Sequence, residues 1–200
     1  NAEKIPICED DPRQPCNPYG RSKLMVEHFL ADYAHAYGIS ATALRYFNAA
    51  GATPDGDRGE WHDPETHLIP LVLSVALGRR AQMTIFGGDY PTTDGTCVRD
   101  YVHVADIARA HVLAIDHKIP PGVYNLGSNQ GHSVKQVMER AKTIIGKMPY
   151  VGVEARRPGD PRLADGRVRG RRRARLGRSG RRCGPTGRAG AHRRFGIHAA

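Results

Sequence analysis

Residues 17–47 read NPYGRSKLMVEHFLADYAHAYGISATALRYF, and this stretch decides the fold class. Asn17 is a good helix N-cap, and Pro18 suits the first helical position, where an N–H would have no partner anyway. From there Met25, Phe29 and Tyr33 recur every four residues, the spacing of one apolar helix face. Gly38 can adopt the left-handed conformation that closes a helix. ISATALRYF then forms a mostly apolar run around 39–47, expected as a buried strand. A helix feeding a buried strand is half of a parallel α/β unit.

The pattern continues outward from this unit. On the N-terminal side, residues 1–18 are rich in Pro and acidic residues (EDDPRQPCNP) and read as a surface loop. On the other side, NAAGATPDGDRGEWHDPETH forms a loop of about 20 residues, long for a compact domain unless the loop has a task. LIPLVLSVALG is an apolar helix ending at Gly78, and MTIFGG is a short strand. The loop DYPTTDGTC leads into VRDYVHV, followed by an amphipathic helix from about Ala105 to His117. VYNLG is a strand, SVKQVMERAKTIIG a helix with Ser133 as N-cap and Gly146 at its end, and YVGVEA a further strand. Such alternation predicts an α/β protein with largely parallel strands.

Two hundred residues suit one domain or slightly more, and an apolar fraction of 40% is enough for a core. No run approaches the ~18–20 apolar residues of a membrane span. Cys8, Cys16, Cys97 and Cys183 lack C-x-x-C spacing. That argues against a zinc site or a disulfide framework and fits a reducing cytoplasm; no metal is expected. The first residue is Asn1 rather than Met, as expected of a processed, trimmed or partial chain.

The net charge of +10 is unevenly placed. Residues 162–200 hold 13 Arg, no Lys and one acid, Asp165, a net of +12 that leaves −2 for residues 1–161. Eight of those last 39 residues are Gly, and the segment has no apolar periodicity. An Arg-rich arm for nucleic acid has this composition, as does a disordered tail. Arginine without lysine is also what a GC-rich gene gives when read out of frame. A disordered or frameshifted tail is the expectation for 162–200.

Tyr19 and Lys23 stand four apart on the first helix, so both leave the same face. A tyrosine by itself, with a pKa of about 10, is a poor base at neutral pH. An ammonium beside it favours the phenolate, and such a tyrosine can take a proton from a substrate hydroxyl while a hydride leaves the same carbon. Tyr-x-x-x-Lys also recurs by chance. LRYFNAAG ends a strand in polar and small residues, the end at which open α/β sheets bind ligands; Asn48 could hold a polar group there, while Tyr46 and Phe47 could be core. Ahead of the next helix stand Arg99, Asp100, Tyr101 and His103. Arg99 could grip phosphate, or form a surface pair with Asp100 while His103 caps the helix. ARRPGD offers a further arginine and carboxylate.

In order along residues 1–161, the segments NPYGRSKLMVE, LRYFNAAGA, HLIPLVLSVALG, IFGGDYPTTDGTCVRDYVHVADIARAH, YNLGSNQGHSV and RRPGD resemble the UDP-glucose 4-epimerase family of the extended short-chain dehydrogenase/reductase superfamily. The resemblance implies an NAD cofactor, a UDP-sugar substrate and a homodimer for the intact enzyme. It makes Tyr19 the catalytic base and gives Lys23 the nicotinamide ribose, with Tyr46 near the nicotinamide. Asn48 would contact the sugar nucleotide. His67 and Leu68 would line the UDP site, and Thr84 and Phe86 would flank the uracil. Arg99 and Arg157 would bind the diphosphate, and Asp160 the uridine ribose. The implied reaction interconverts UDP-galactose and UDP-glucose by reversible oxidation at the sugar C4.

The family's Gly-rich strand–turn–helix has no counterpart in the sequence, so residues 1–161 are expected to be the C-terminal part of such an enzyme. They would combine the rest of a Rossmann-like domain with a small α/β substrate-binding domain. Made alone, the chain is expected neither to bind NAD tightly nor to epimerise UDP-galactose. The alternatives are another nucleotide-sugar epimerase or dehydratase of the superfamily, and an Arg-rich nucleic-acid-binding protein.

Overall fold

The structure, a computed structural model, describes residues 5–116, 118–146 and 151–156, together with the backbone of 165–166. In order, the elements are α1 (Pro18–Tyr37), β1 (Thr42–Tyr46), β2 (Asn48–Ala50), α2 (Leu68–Ala76), β3 (Met83–Phe86), β4 (Val98–His103), α3 (Val104–Ile115), β5 (Gly122–Leu126), β6 (Gly131–Ser133), α4 (Val134–Ile145), β7 (Val151–Glu154) and the two-residue β8 (Asp165–Gly166). The α/β expectation holds, and the pairs β1–β5, β2–β4 and β3–β7 are all parallel. β6 is an exception, running antiparallel to β4.

Helix ends follow the local chemistry. Asn17 accepts the Gly20 N–H at 2.8 Å, Pro18 occupies the first turn of α1, and Gly38 closes it at φ 66°. α4 begins with a capping box: the Ser133 hydroxyl accepts from the Gln136 N–H at 3.1 Å, and the Gln136 side chain accepts from the Ser133 N–H at 2.9 Å. Together these satisfy two N–H groups that the helix itself cannot.

The clearest core lies where α2 and α4 cover the β3–β7 pair. Val72, Met83, Ile85 and Met138 are buried, with Leu68, Val75, Val134, Ala141 and Val151 packed around them. On α2, Leu68, Val72 and Val75 keep helical spacing; on α4, Val134, Met138 and Ala141 do the same. On β3, Met83 and Ile85 alternate inward, as the period of two demands. Each such side chain contributes about 1.5–3 kcal/mol by leaving water.

Three expectations need correction. The segment after Phe47 is not all loop: Asn48–Ala50 adds as β2 to β4, a strand too short for periodicity to reveal. β1, expected as a buried strand, is only half-buried from Thr42 to Arg45 and exposed at Tyr46; β6 is an addition, because GHS carries no apolar signal. Met25, Phe29 and Tyr33 do share a face, yet each is more than half exposed and no α1 residue is buried. Within the 162–200 stretch, Asp165 and Gly166 pair with Val98 and Arg99 of β4; the remainder lies outside the described residues.

Candidate functional site

Tyr19 and Lys23 occupy the first two turns of α1, and the Lys23 Nζ stands 5.2 Å from the centroid of the Tyr19 ring. Tyr19 is 72% exposed, so ring and ammonium together face solvent where a ligand can reach them. What ties the middle of α1 to β1 is a salt bridge that the sequence does not announce. Arg45 on β1 donates through two nitrogens to the two Glu27 oxygens, each at 2.6 Å, and Arg13 adds a contact at 2.9 Å. A charged residue inside the apolar strand TALRY was the available signal.

Tyr46 ends β1 and is 48% exposed. Two residues on, Asn48 donates its side-chain N–H to the Asp100 carbonyl at 3.0 Å and sits in register with Tyr101. Asp100 is fully buried, and its carboxylate accepts from the Ser128 backbone N–H at 2.8 Å and the Ser128 hydroxyl at 2.7 Å. That contact ties the YNLGSNQ segment to β4 and sends Asp100 inward, while Arg99 next to it is only half-buried. Burial, with a smaller contribution from Cys97 and opposed by Arg99, pushes the Tyr101 phenol up to about 12, so it stays neutral. His103 does cap α3, accepting from the Ala105 N–H at 3.2 Å.

His67 and Leu68 open α2. Leu68 packs on the α2–β3–α4 core, while His67, the N-cap residue, directs Nδ1 to Glu60 and Glu65 at 2.9 and 3.0 Å. Thr84 and Phe86 lie on the face of β3 opposite Met83 and Ile85 and pair with Gly152 and Glu154 of β7. Beyond β7, Arg156 donates to the Asp89 carboxylate and carbonyl, both at 2.8 Å, and stacks 4.0 Å above the Tyr90 ring. It thereby holds the turn that follows β3. Arg157 and Asp160 lie outside the described residues.

A further device binds the DYPTTDGTC loop to α4. Asp94 accepts from the Thr96 N–H at 2.9 Å and the Thr96 hydroxyl at 2.7 Å, and the Ser133 hydroxyl donates to its other oxygen. Burial opposes the charge, but these bonds and the nearby Lys135 outweigh it and hold the carboxyl below its ordinary range. Thus β1–β2 and β4 present candidate residues at ends fixed by partly buried polar contacts, and β3–β7 at an end held by the exposed Arg156–Asp89 pair.

The fold is a parallel α/β layout that carries an exposed Tyr–Lys pair on its first helix. The chain belongs to the NAD dependent epimerase/dehydratase family, whose family model matches residues 1–127. Among curated relatives, the UDP-glucose 4-epimerase of Halalkalibacterium halodurans is 50% identical over 161 residues, which are 79% of this chain and 48% of that protein. That of Corynebacterium glutamicum is 50% identical over 163 residues, 78% and 48% of the two chains. The chain therefore spans about half the length of the curated relatives it matches. Among solved structures, UDP-glucose 4-epimerase from Brucella ovis in complex with NAD superposes with a TM-score of 0.78 at 47% identity, covering 84% of this chain and 53% of that one. The Bifidobacterium longum enzyme in complex with NAD+ and UDP gives 0.73 at 38% identity, covering 82% and 50%.

Proposed function

We propose that this chain forms the substrate-binding and base-carrying part of a UDP-glucose 4-epimerase that interconverts UDP-galactose and UDP-glucose. The observation that carries the reading is the exposed Tyr19–Lys23 pair, 5.2 Å from ammonium to ring, in a chain about half identical to such enzymes over four-fifths of its length.

Tyr19 takes the proton of the sugar 4-OH and returns it to the opposite configuration. Lys23 supplies the positive charge that stabilises the phenolate and donates to the nicotinamide ribose. NAD, when bound, accepts and gives back the hydride at C4. Exposed Tyr19, Lys23 and Tyr46 suit the nicotinamide end of that cofactor; the Gly-rich cradle for its diphosphate has no counterpart in the 200 residues. Asn48, His67, Leu68, Thr84, Phe86, Arg99, Arg157 and Asp160 hold the UDP-sugar. Gripping the remote UDP firmly while leaving the sugar loose allows the ring to turn over between the two hydride transfers. Residues 1–161 form this functional unit and 162–200 a separate Arg/Gly-rich segment. A homodimer in a reducing cytoplasm completes the reading.

The 200 residues made alone are expected to lack tight NAD binding and epimerase activity. The test exchanges the matching segment of the Halalkalibacterium halodurans relative for residues 1–161. Conversion of UDP-galactose to UDP-glucose by this chimera supports the proposal. A folded, NAD-loaded chimera that leaves UDP-galactose unchanged contradicts it, and turnover of a different nucleotide sugar would favour another reaction of the superfamily.

A further inference from the structure

The segment between β2 and α2 carries Glu60, His62, Glu65 and His67, and one donor atom from each lies within 4.8 Å of all the others. No other group of three or more such side chains converges in this way among the described residues. His67 Nδ1 lies 2.9 Å from Glu60 Oε1 and 3.0 Å from Glu65 Oε1. His62 Nδ1 lies 3.4 Å from the same Glu60 oxygen and 3.5 Å from Glu65 Oε2. The two imidazole rings face each other at 4.6 Å between centroids.

Hydrogen bonding alone serves this arrangement poorly. A neutral imidazole has one N–H, yet each Nδ1 stands between oxygens of two different carboxylates. A dication meets all of them at once. Bonds of 2.0–2.2 Å to imidazole nitrogen and carboxylate oxygen put tetrahedral ligands about 3.3 Å apart; Glu60 Oε1 lies 3.4 and 2.9 Å from the Nδ1 atoms of His62 and His67, near that value, and Glu65 turns a different oxygen to each, at 3.5 and 3.0 Å. Two neutral imidazoles and two carboxylates also cancel a double positive charge, and mixed nitrogen and oxygen donors suit zinc better than magnesium or calcium.

The ligands are supported as well. Glu65 Oε1 accepts the backbone N–H groups of Thr66 and His67, both at 2.7 Å, which orients the carboxylate as outer partners orient metal ligands. His67 is an N-cap whose side chain makes no capping bond, so its imidazole is committed to the cluster. Both histidine side chains are about half exposed, 47% and 55%, so an ion can enter from solvent.

We propose that Glu60, His62, Glu65 and His67 form a zinc-type divalent-cation site that fastens the long loop between β2 and α2 onto the start of α2. The site is structural, and its ligand His67 is also one of the residues proposed above to hold the UDP-sugar, so the two readings share that residue. Closing a long loop carries an entropic cost, which one ion held by both ends of the 60–67 turn offsets. The cysteine spacing gave no hint of it, because the donors are histidines and glutamates.

The full 200-residue chain, stripped with EDTA and desalted, is titrated with Co2+ as an absorbing probe and with Zn2+, and bound metal is quantified by mass spectrometry. The expected result is about one equivalent of Zn2+ per chain and the intense visible bands of tetrahedral Co2+. His62→Asn and Glu65→Gln should each weaken binding by about tenfold or more, with far-UV circular dichroism unchanged. His132→Asn, and Cys183→Ser combined with His192→Asn, should leave it as it was. Zn2+ should also slow tryptic cleavage after the exposed Arg58 in the parent chain but not in the two cluster variants. Absence of saturable binding, or binding that neither cluster variant weakens, overturns the proposal and leaves four hydrogen-bonded side chains.

Discussion

Arg45 and Glu27 meet as a two-bond fork, with each guanidinium nitrogen 2.6 Å from a different carboxylate oxygen. This fork joins α1 to β1, and so sets the helix that carries Tyr19 against the strand that ends at Tyr46. Arg45 also donates to the Glu9 carbonyl at 3.1 Å, which draws the N-terminal segment into the same contact.

The Arg45 hydrogen bonds, helped by the charges of Arg45 and Arg13 and opposed by burial, hold the Glu27 carboxyl below its ordinary 4.5. A depressed folded-state value means that the stabilisation is fully present above pH 4.5 and is lost as pH falls through that lower value. Glu27→Gln should therefore cost about 1.5–3 kcal/mol near neutral pH and little under strong acid. Urea unfolding of both proteins across the acidic range measures it; parallel curves would contradict the assignment.

Asp94→Ala should loosen the loop before β4 from the start of α4, since it removes the acceptor for Thr96 and Ser133 at once. Thr96 and Ser133 are both buried, and their donors would be left without that acceptor. The expected loss is about 2–3 kcal/mol. Hydrogen exchange should locate the added opening in residues 92–97 and the first turn of α4.

Much of this architecture was legible from local signals. Asn17–Pro18 and Gly38 marked the ends of α1, Ser133 and Gly146 those of α4, and the apolar run of 68–78 marked α2. These cues act within a turn or two of the chain, so sequence suffices to read them. The ties that hold candidate residues in place were not legible: Glu27 to Arg45, Asp94 to Ser133 and Asp100 to Ser128 are separated by 18, 39 and 28 residues, and a polar residue does not announce a distant partner. For the candidate residues, the Tyr19–Lys23 pair followed from helical spacing alone. The placing of Thr84 and Phe86 on the outer face of β3 followed from strand alternation, once Met83 and Ile85 faced the core.

Gly51 has φ +100°, and a Cβ there would fall 2.5 Å from the His103 ring. Substitution by Ala should therefore both strain the backbone and displace the imidazole that caps α3. A loss of about 2 kcal/mol in thermal or urea unfolding is expected. His103→Asn, which can cap without the bulk of the ring, should recover part of it in the double variant.

Phe29 is 56% exposed on an α1 face that also carries Met25 and Tyr33. In the 200-residue chain, Phe29→Ala should change stability by no more than about 0.5 kcal/mol. In the chimera with the longer relative, the same change should cost several times more if that face packs against the added portion. Equal small effects in both would mean that the face stays in water in the longer protein too.

The most direct measurement compares turnover of UDP-galactose by the chimera with that of its Tyr19→Phe variant, with NAD content and UDP affinity checked in both. The account predicts a fall in kcat of about 10²–10⁴-fold with KM nearly unchanged, because only the proton-transferring hydroxyl is lost. A variant that retains full kcat would show that Tyr19 is not the base, and that its place beside Lys23 is a matter of helix geometry alone.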